Sequence, residues 1–593
     1  MASQQDTQSP PLVHDCLKLL KSETDEQRLA GLELLTQFRK ANDLSSLLTI
    51  HHALGPHFLD QLLRTATARC NDAVLLLSIT ALDAFCRVPQ IAAANDVVSK
   101  IPLVLKLVST SQESDPILQE CYEFLYLVST ASDKGATTLF NSGGFIKMMA
   151  SHIPVLPDGV AIKLVQNLLR TVVFLDIYVA ELSVIVATLA RQFAMLHNAA
   201  KFDALHLLSG ILSSTHLNSA RLRDSLRLLS DRNWPNYMRD GVVAILQNHV
   251  GANEKLEALV LAEAMVSIFG EGWLIGEIDN VGELDGKKEP IPADRCLLLV
   301  LEQSRVEVVV LLKALAYLKN EASKNSKSSP TGETVCSKKR NVALLFSLVE
   351  KIINLMSNAV ASENEEEVLV DENTCVKMID GLNETIGVVL EYLQDAKEHG
   401  ERKGNDLLAS VRIIGRYVAE TPIACEDKVG ELLGYMLSTE GEDEPTGPFY
   451  SVCYLLPMLC QMTVEIEGCK ALISCGGHNT VVDCLVRLIR QHNRYMGEDN
   501  GRCIYFAWHT ILNLLSNKEL VPVPLDDLTA VNLLKALAYW TESTHDDPSI
   551  VMMASRICAL LLDFTSQKAL LKNPDFDNNS LGRLFRLIAR SLA

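Results

Sequence analysis

Two stretches that lie far apart in this chain share one pattern: an apolar helical segment, then two adjacent glycines, then a second segment with an apolar stripe. One copy covers 470–490 with its glycines at 476–477, and the other has its glycines at 143–144. Glycine ends a helix readily because it adopts the left-handed backbone without a Cβ clash. Asn479 or Thr480 is then expected to cap the following helix. A helix–turn–helix unit used twice predicts stacked helical repeats.

The rest of the chain carries further helix signals. Thr24 precedes an apolar stripe and forms a capping-box pattern with the residues after it. In the segment 406–420, Leu407, Val411 and Ile414 step by four and three residues along one helical face. No strand-type alternation of useful length interrupts these patterns. We therefore predict an all-α chain that folds as an armadillo- or HEAT-like α-solenoid, a superhelix of stacked helical repeats.

Changes in composition predict how this solenoid is divided. Residues 1–10 are polar and are expected to be disordered. Helical repeats are expected over 11–269 and again over 296–593. Between them, 270–295 is rich in glycine, proline and acidic residues and predicts a loop or seam between two halves. The Ser/Lys-rich stretch 321–340 predicts a mobile insertion in the second half.

The overall charge excludes several kinds of partner. The formal net charge is −19, and most of the acidic excess lies between residues 271 and 450. Binding to nucleic acid requires clustered lysine and arginine side chains, so we expect no nucleic-acid partner. The same balance argues against a polybasic anchor on a membrane surface.

Membrane insertion and secretion are not predicted either. The most membrane-like run, 171–190, is interrupted by Asp176 and Glu181, whose charges are costly at the centre of a bilayer. The N-terminal residues are polar. The 15 cysteines form no CxxC pair and indicate buried small side chains in a reducing compartment. We expect a cytoplasmic protein without a transmembrane segment, with at most peripheral membrane association through its partners.

Motifs for catalysis, cofactors and metals are weak. His51 and His52 are adjacent and point in different directions on a helix, while His57 follows a helix-breaking Gly-Pro pair. The loop 281–288 lacks the glycine spacing and the Ser/Thr of a phosphate-binding loop. No HExxH or GxSxG pattern is present. We expect no catalytic residues, no cofactor and no metal ligands.

Three of the four tryptophans are candidate partner contacts if their rings are exposed, namely Trp234, Trp273 and Trp508. If they are buried, they are packing anchors, which is the more common role. Trp508 also suggests one rung of the Trp–Asn ladder of nuclear import receptors. However, Asn513 lies five residues further on, which rotates it away from the tryptophan face of a helix.

Two arginines are the other candidate partner contacts. Arg412 and Arg416 lie one turn apart on the face opposite the apolar stripe of 406–420, where they could grip an acidic partner. The alternative is pairing with Asp406 or Glu420 at helical spacing. The acidic runs at 365–367 and 442–444 could steer basic partners, but a solvated surface is their default role.

Four segments, in order along the chain, resemble segments of one known family. Residues 96–105 are similar to its NKIPIL segment, 200–208 to SKFELCQLL, 298–312 to LLVNLACVEVRLAL, and 409–420 to ASVRILGAWLAEE. Each is only an apolar helix, but the collinear set resembles neurochondrin, a family of leucine-rich cytoplasmic proteins with an armadillo-like fold.

The resemblance implies a non-enzymatic cytosolic regulator that binds other proteins. In animals this family is associated with neurite outgrowth, restraint of calmodulin-dependent kinase signalling, and binding to receptor tails and trafficking factors. We therefore expect a scaffold or regulatory adaptor that binds peptide segments or helices. The alternative is an obligate structural subunit of a larger complex. An enzymatic role would require a buried polar cluster in a pocket.

Overall fold

The computed structural model describes most of the chain. The described residues are 11–55, 57–58, 61, 63–64, 72–110, 116–142, 145–152, 160–171, 179–213, 219–276, 292–324, 332–361, 370–442, 450–492, 498–517, 519–521, 527–540, 548–565, 570, 576 and 578–592. Some stretches interpreted above therefore lie outside them, namely 1–10, 143–144, 281–288, 325–331, 365–367 and 443–444.

Two compact units divide the chain, Met1–Ala293 and Asp294–Ala593. The division falls inside the glycine- and proline-rich stretch 270–295. The described part of unit 1 forms the helices α1 Pro11–Leu20, α2 Asp25–Lys40, α3 Leu44–Leu54, α4 Asp72–Cys86, α5 Pro89–Ala92, α6 Asn95–Val98, α7 Ile101–Thr110, α8 Pro116–Ala131, α9 Asp133–Phe140, α10 Phe145–His152, α11 Val160–Thr171, α12 Val179–Met195, α13 Ala200–Leu212, α14 Ser219–Arg227, α15 Trp234–Gln247 and α16 Ala252–Phe269, followed by a 3₁₀ turn at Glu271–Leu274.

Unit 1 is built from two rows of helices. In one row, α2, α4, α8, α11, α13 and α16 pack side by side in succession, and in the other α10, α12 and α15 do the same. The rows are held together by apolar side chains at helical spacing, such as Ile79, Leu82 and Phe85 of α4, all fully buried. Each helix packs mainly on its neighbours along the stack, which is the organisation of a helical solenoid.

Charged side chains also link successive helices within the first row of unit 1. The Asp83 carboxylate on α4 is fully buried and lies 2.9 Å from Arg39 Nε of α2. Arg39 Nη1 in turn donates to Glu120 Oε2 of α8 at 2.6 Å. One arginine therefore connects three consecutive helices of the row through two carboxylates.

Unit 2 has the same two-row plan. Its described helices are α17 Arg295–Lys324, α18 Gly332–Ala361, α19 Glu372–Glu398, α20 Asn405–Glu420, α21 Glu426–Leu437, α22 Tyr450–Met462, α23 Ile466–Ser474, α24 Gly477–His492, α25 Glu498–Ser516, α26 Asp527–Trp540, α27 Pro548–Phe564 and α28 Asn578–Leu592. The first row is α17, α19, α21, then α23 with α24, then α26, and the second row is α18, α20, α22, α25 and α27. The described residues thus confirm an all-α, armadillo- or HEAT-like solenoid. Within these residues the β-structure consists of one isolated bridge between Lys403 and Glu440.

The glycine pair at 476–477 ends one helix of unit 2 and starts the next. Gly476 has a φ of 72°, and its N–H donates to the carbonyl oxygen of Ile473 at 3.0 Å. This left-handed termination confirms the predicted role of the glycine. The predicted cap at Asn479 or Thr480 is wrong, because α24 already begins at Gly477. A Cβ at Gly477 would lie 2.5 Å from the end of the Leu472 side chain, so a larger residue there would require that leucine to move.

The stretch 321–340 is helical on both sides of residues 325–331. Helix α17 continues to Lys324, and α18 starts at Gly332. Lysine is a good helix former, and Lys339 is held in place because its Nζ lies 3.2 Å from Asp406 Oδ1 of α20. Residues 321–324 and 332–340 are therefore helical, and the expectation of a mobile insertion is left to 325–331, which lie outside the described residues.

Among the described residues, one helical segment, Thr334–Ala359, is long and apolar enough to cross a membrane, and half of its most apolar window is buried. This segment is the body of α18, which packs against α17, α19 and α20. Its apolar character therefore has a structural explanation as a helix of the core.

Candidate protein-binding surface

The second row of unit 2 presents parallel helices whose outer faces carry the predicted arginines. Glu350, Asn354 and Ser357 of α18 pair in that order with Arg412, Arg416 and Glu420 of α20. Since both sets run in the same direction, the two helices are parallel. Farther along the row, the thiols of Cys453 and Cys503 interact and Cys460 accepts from Asn513, so α22 and α25 are also parallel.

Arg412 is the most exposed charged group of this arrangement, with 51% of its side chain accessible. Its Nε and Nη2 donate to the two Glu350 oxygens at 3.1 and 3.0 Å. Its guanidinium carbon lies 5.5 Å from the centre of the Tyr454 ring on α22. The fork-like pairing and the cation–π contact fix the orientation of the guanidinium before any partner arrives.

Arg416 continues this pattern one turn further along α20. Its Nε and Nη2 donate to Asn354 Oδ1 at 3.1 and 2.8 Å, and its Nη1 lies 3.2 Å from Glu420. The helical pairing that we considered as an alternative is therefore present for Arg416 and Glu420. It is absent for Arg412, which pairs across to α18, while Asp406 turns inward to two lysines.

Exposed aromatic rings extend the surface over α22 and α25. Tyr450 is 44% exposed and lies 6.5 Å, centre to centre, from Tyr454. On α25, Tyr505 is 37% exposed and lies 4.6 Å from the ring of His509. Tyrosine and arginine are enriched at the energetic centres of protein interfaces. We call Arg412, Arg416, Tyr450, Tyr454, Tyr505 and His509 the Arg–Tyr surface.

The structure corrects the interpretation of the three tryptophans as partner contacts. Trp234, Trp273 and Trp508 are only 1%, 5% and 0% exposed. Trp234 packs against Phe269 with ring centres 5.4 Å apart, and Trp508 packs against Trp540 at 6.1 Å. Their indoles fill the cores of the two units, because burying so large an apolar surface stabilises each stack.

Trp273 has an additional structural role at the C-terminal end of unit 1. Its Nε1 donates to the carbonyl oxygen of Pro235 at 3.0 Å. Its own carbonyl oxygen accepts from Arg239 Nε at 2.9 Å, and the Arg239 guanidinium lies 5.7 Å from the indole ring. The 3₁₀ turn is thereby fastened to α15.

Asn513 is directed away from Trp508, as the i+5 spacing predicts. Its Nδ2 donates to the carbonyl oxygen of Cys460 at 3.3 Å and to Thr463 Oγ1 at 3.2 Å. The side chain therefore joins α25 to α22 and is not available as a rung of a peptide-binding ladder.

A buried charge cluster in unit 2 was not predicted from the sequence. The fully buried Asp406 carboxylate lies 2.7 Å from Lys319 Nζ and 3.2 Å from Lys339 Nζ, and Tyr392 donates to it as well. Burial alone would raise the pKa of Asp406, but Lys319, Tyr392 and Lys339 together outweigh burial and the pKa is lowered. Because each charge has an opposite partner, the cluster serves as a junction between helices α17 to α20.

The described residues of unit 1 contain a groove of about 610 Å³ between α12 and the turn that follows α14. Val184, Met195 and Leu229 contribute its apolar lining, and Arg191 and Asp231 contribute charges. No group of three or more His, Cys, Asp or Glu side chains in the described part of the chain is arranged to hold a metal ion.

Comparisons with known proteins identify the family. The family model described as Neurochondrin matches residues 7–588. The chain belongs to the neurochondrin family. Neurochondrin from Bos taurus is 25% identical over 512 residues, which cover 80% of this chain and 63% of that protein. The Gallus gallus protein is 24% identical over 504 residues, covering 79% and 65%. This neurochondrin-family chain therefore spans less than two thirds of the length of these relatives.

Solved structures with related architecture are more distant. Uso1 ("Uso1-2") aligns with 12% identity and a TM-score of 0.31 over 100% of this chain and 90% of that chain. The myosin chaperone UNC-45 from C. elegans, in complex with an Hsp70 peptide, aligns with 14% identity and a TM-score of 0.18 over 98% and 79%. These TM-scores are too low to support a functional comparison.

Proposed function

We propose that this neurochondrin-family chain is a non-enzymatic scaffold that binds segments of other proteins on the Arg–Tyr surface. The observation that carries the proposal is the half-exposed Arg412 guanidinium, held by Glu350 and stacked on Tyr454. An arginine and several tyrosines on adjacent parallel helices provide a wide apolar contact area with polar edges. Little side-chain entropy is lost on binding because the arginine is already ordered.

Alanine variants on and off the surface test this proposal. The double variant Arg412→Ala/Tyr454→Ala removes the stacked pair, and Tyr505→Ala tests α25 independently. Lys428→Ala is the matched control, because its exposed ion pair with Glu391 lies in the first row of helices. The probe is a set of partners captured by the wild-type full-length chain and identified by mass spectrometry, each then measured individually for affinity.

Loss of an interface hot spot costs about 2 kcal/mol or more, which is roughly a 30-fold loss of affinity. We expect at least one partner to be weakened to this extent by both surface variants and unaffected by Lys428→Ala. Equal binding of every partner by the wild type and both surface variants would reject the Arg–Tyr surface as the binding site.

We further propose that the scaffold acts as a cytoplasmic regulatory adaptor in signalling or trafficking, of the kind associated with the family in animals. The family match over residues 7–588 supports this role, and the free cysteines of the described residues suit a reducing compartment. Partners associated with membranes would then bring the chain to a membrane surface.

The regulatory role can be tested with purified components. We expect the chain to lower the autophosphorylation of a calmodulin-dependent kinase in the presence of calmodulin and calcium. The Arg412→Ala/Tyr454→Ala variant should lose this effect if the kinase binds the Arg–Tyr surface. Unchanged phosphorylation at a saturating concentration of the chain would contradict the kinase role while leaving the scaffold proposal to the binding measurements. Fluorescence microscopy of the tagged full-length chain tests the cytoplasmic location.

A second candidate role, an obligate subunit of a larger complex, is supported by exposed apolar residues at one edge of unit 2. Ile423, Val464 and Leu520 are all strongly exposed, and each follows the C-terminal end of a second-row helix. Because these helices run parallel, the three side chains lie along the same edge. Light scattering during size-exclusion chromatography discriminates between the roles. A stable monomer at high concentration would contradict the subunit role, whereas aggregation cured by Ile423→Ser and Leu520→Ser would support it.

A further inference from the structure

Three cysteine side chains converge in the interior of unit 2. The sulfur atoms of Cys453 on α22 and Cys484 on α24 are 3.8 Å apart. The thiol of Cys503, on α25, also interacts with the Cys453 thiol. Cys484 is buried and Cys453 is half-buried. The cluster is enclosed by the helices of both rows.

Other cysteines of the same unit have a different environment. The Cys469 sulfur donates to the carbonyl oxygen of Thr463 at 3.2 Å, and the Cys475 sulfur donates to that of Leu472 at 3.3 Å. Cys469 is buried and Cys475 is exposed, and in both the thiol is hydrogen-bonded to a backbone carbonyl oxygen of its own chain neighbourhood. The Cys453 and Cys484 thiols have each other as partners, which places two potential reaction partners in contact.

We propose that Cys453 and Cys484 form a site of reversible oxidation, in which a disulfide joins α22 of the second row to α24 of the first row. A disulfide requires a sulfur–sulfur distance of about 2.05 Å, so the two sulfur atoms must approach by roughly 2 Å. Side-chain rotation on two adjoining helices can supply a movement of this size without repacking the stack.

The oxidant is a small peroxide, because a larger disulfide reagent would have poor access to half-buried thiols. The Cys453 thiolate attacks one peroxide oxygen, the O–O bond breaks, and the released hydroxide becomes water by taking a proton. Cys453 is then a sulfenic acid. The Cys484 sulfur attacks the Cys453 sulfur, the S–O bond breaks, and hydroxide leaves with the thiol proton as a second water. Two sulfur atoms are oxidised and both peroxide oxygens are reduced.

The surroundings of Cys453 make this reaction slow at neutral pH. Its hydrogen bond with Cys484 and its burial raise its pKa to about 12. The thiolate is the reactive form. At pH values below this pKa, the thiolate fraction rises about tenfold for each unit by which the pH is raised. We therefore expect the two thiols to stay reduced at low peroxide concentrations and to form the disulfide only during long exposure to peroxide.

The experiment treats the reduced full-length chain with hydrogen peroxide at pH 7 and pH 8, blocks the remaining thiols with iodoacetamide, and maps the peptides by mass spectrometry. We expect a linked peptide containing Cys453 and Cys484, lighter by two hydrogen atoms than the sum of its parts and removed by dithiothreitol. Its rate of formation should increase about tenfold between the two pH values. The exposed Cys336 reports general oxidation in the same samples.

Two variants make the result specific. Cys484→Ser should abolish the linked peptide, whereas Cys503→Ser should retain it, and circular dichroism verifies that both variants are folded. A link between Cys453 and Cys503 in the wild type would overturn the assignment. Full alkylation of Cys453 and Cys484 after complete oxidation of Cys336 would overturn the proposal itself.

Discussion

The buried carboxyl of Asp83 should make the stability of unit 1 depend on pH in an unusual direction. Burial raises the pKa of Asp83 to about 7, which outweighs the lowering by Arg39. Although Arg39 Nε lies 2.9 Å away, neither carboxylate oxygen accepts a well-aligned hydrogen bond from the described residues. The charged form therefore gains too little from its neighbours to offset the loss of water.

The sign and the magnitude follow from this shift. An aspartate in the unfolded chain titrates near pH 3.9, and each pKa unit corresponds to about 1.4 kcal/mol. Between about pH 4 and pH 7 the folded state binds more protons than the unfolded state, so this group stabilises the fold in acid and its contribution is lost as the pH rises. From pH 5 to pH 7 the expected loss is about 2 kcal/mol, and it approaches about 3 kcal/mol by pH 8.

The variant Asp83→Asn keeps the shape of the side chain and cannot titrate. As the pH is raised from 5 to 8, the wild type should lose about 3 kcal/mol of the free energy of opening α4, and the variant should not. The protection of the variant relative to that of the wild type should therefore increase roughly 100-fold over this range. Hydrogen exchange of Asp72–Cys86 in the full-length chain measures this quantity once the rates are divided by their intrinsic values. The reference variant is Asp224→Asn, on the exposed face of α14.

Two results would refute the reasoning about Asp83. A difference between variant and wild type that is independent of pH would show that the carboxyl does not titrate in this range. A wild type that gains stability relative to the variant as the pH rises would show that Arg39 dominates and keeps the carboxylate ionised.

Two further predictions concern packing and charge in unit 2. A Cβ at Gly415 would lie 2.6 Å from the Tyr454 carbonyl oxygen, so Gly415→Ala should cost about 1–3 kcal/mol by overpacking. Gly387→Ala, in open space on α19, should instead be stabilising by about 0.5–1 kcal/mol. Urea denaturation of the full-length chain measures both, and equal effects would contradict the packing argument. Lys319→Met leaves a buried carboxylate with one lysine fewer and should cost about 3 kcal/mol, whereas Lys403→Met, at an exposed ion pair, should cost less than about 1 kcal/mol. A loss for Lys319→Met as small as that of the control would show that the buried cluster is not tightly coupled.

The positions of many helices could be read from the sequence because their signals are local. Helix α20 spans Asn405–Glu420, as the apolar spacing over 406–420 predicted. Helix α2 begins directly after Thr24 as well, but the Thr24 side chain makes no capping hydrogen bond. At Thr24 the residue type marks the boundary although its side chain makes no capping bond, whereas at Asn479 and Thr480 the same residue types lie inside a helix that begins at Gly477.

The surface was harder to predict because exposure and pairing are properties of the stack. A tryptophan in an apolar segment is more often a core residue than an interface residue, but only the packing of adjacent helices decides the matter and places Trp234 and Trp508 inside. For Arg412, the helical spacing offered Asp406 and Glu420 as partners on the same helix. The actual partner, Glu350, belongs to the preceding helix of the row, and Asp406 is used elsewhere.

The pairings that were missed share one physical cause. Arg412 with Glu350, and Arg39 with Asp83, both join successive helices of one row across a complete repeat. The segment that leads from one helix of a row to the next passes through the other row, and its length differs from repeat to repeat. The number of residues between two paired side chains is therefore not constant, and the sequence alone does not reveal the partner. Such a pair can form at only one relative position of the two helices. If one helix slid along the other by one turn, the pair would be broken and a buried charge would be left unpaired. Apolar stripes tolerate sliding, since one leucine replaces another. These ion pairs therefore help to set the alignment of the repeats that they join, α2 with α4 and α18 with α20, and the second of them fixes the position from which Arg412 reaches the Tyr454 ring of α22.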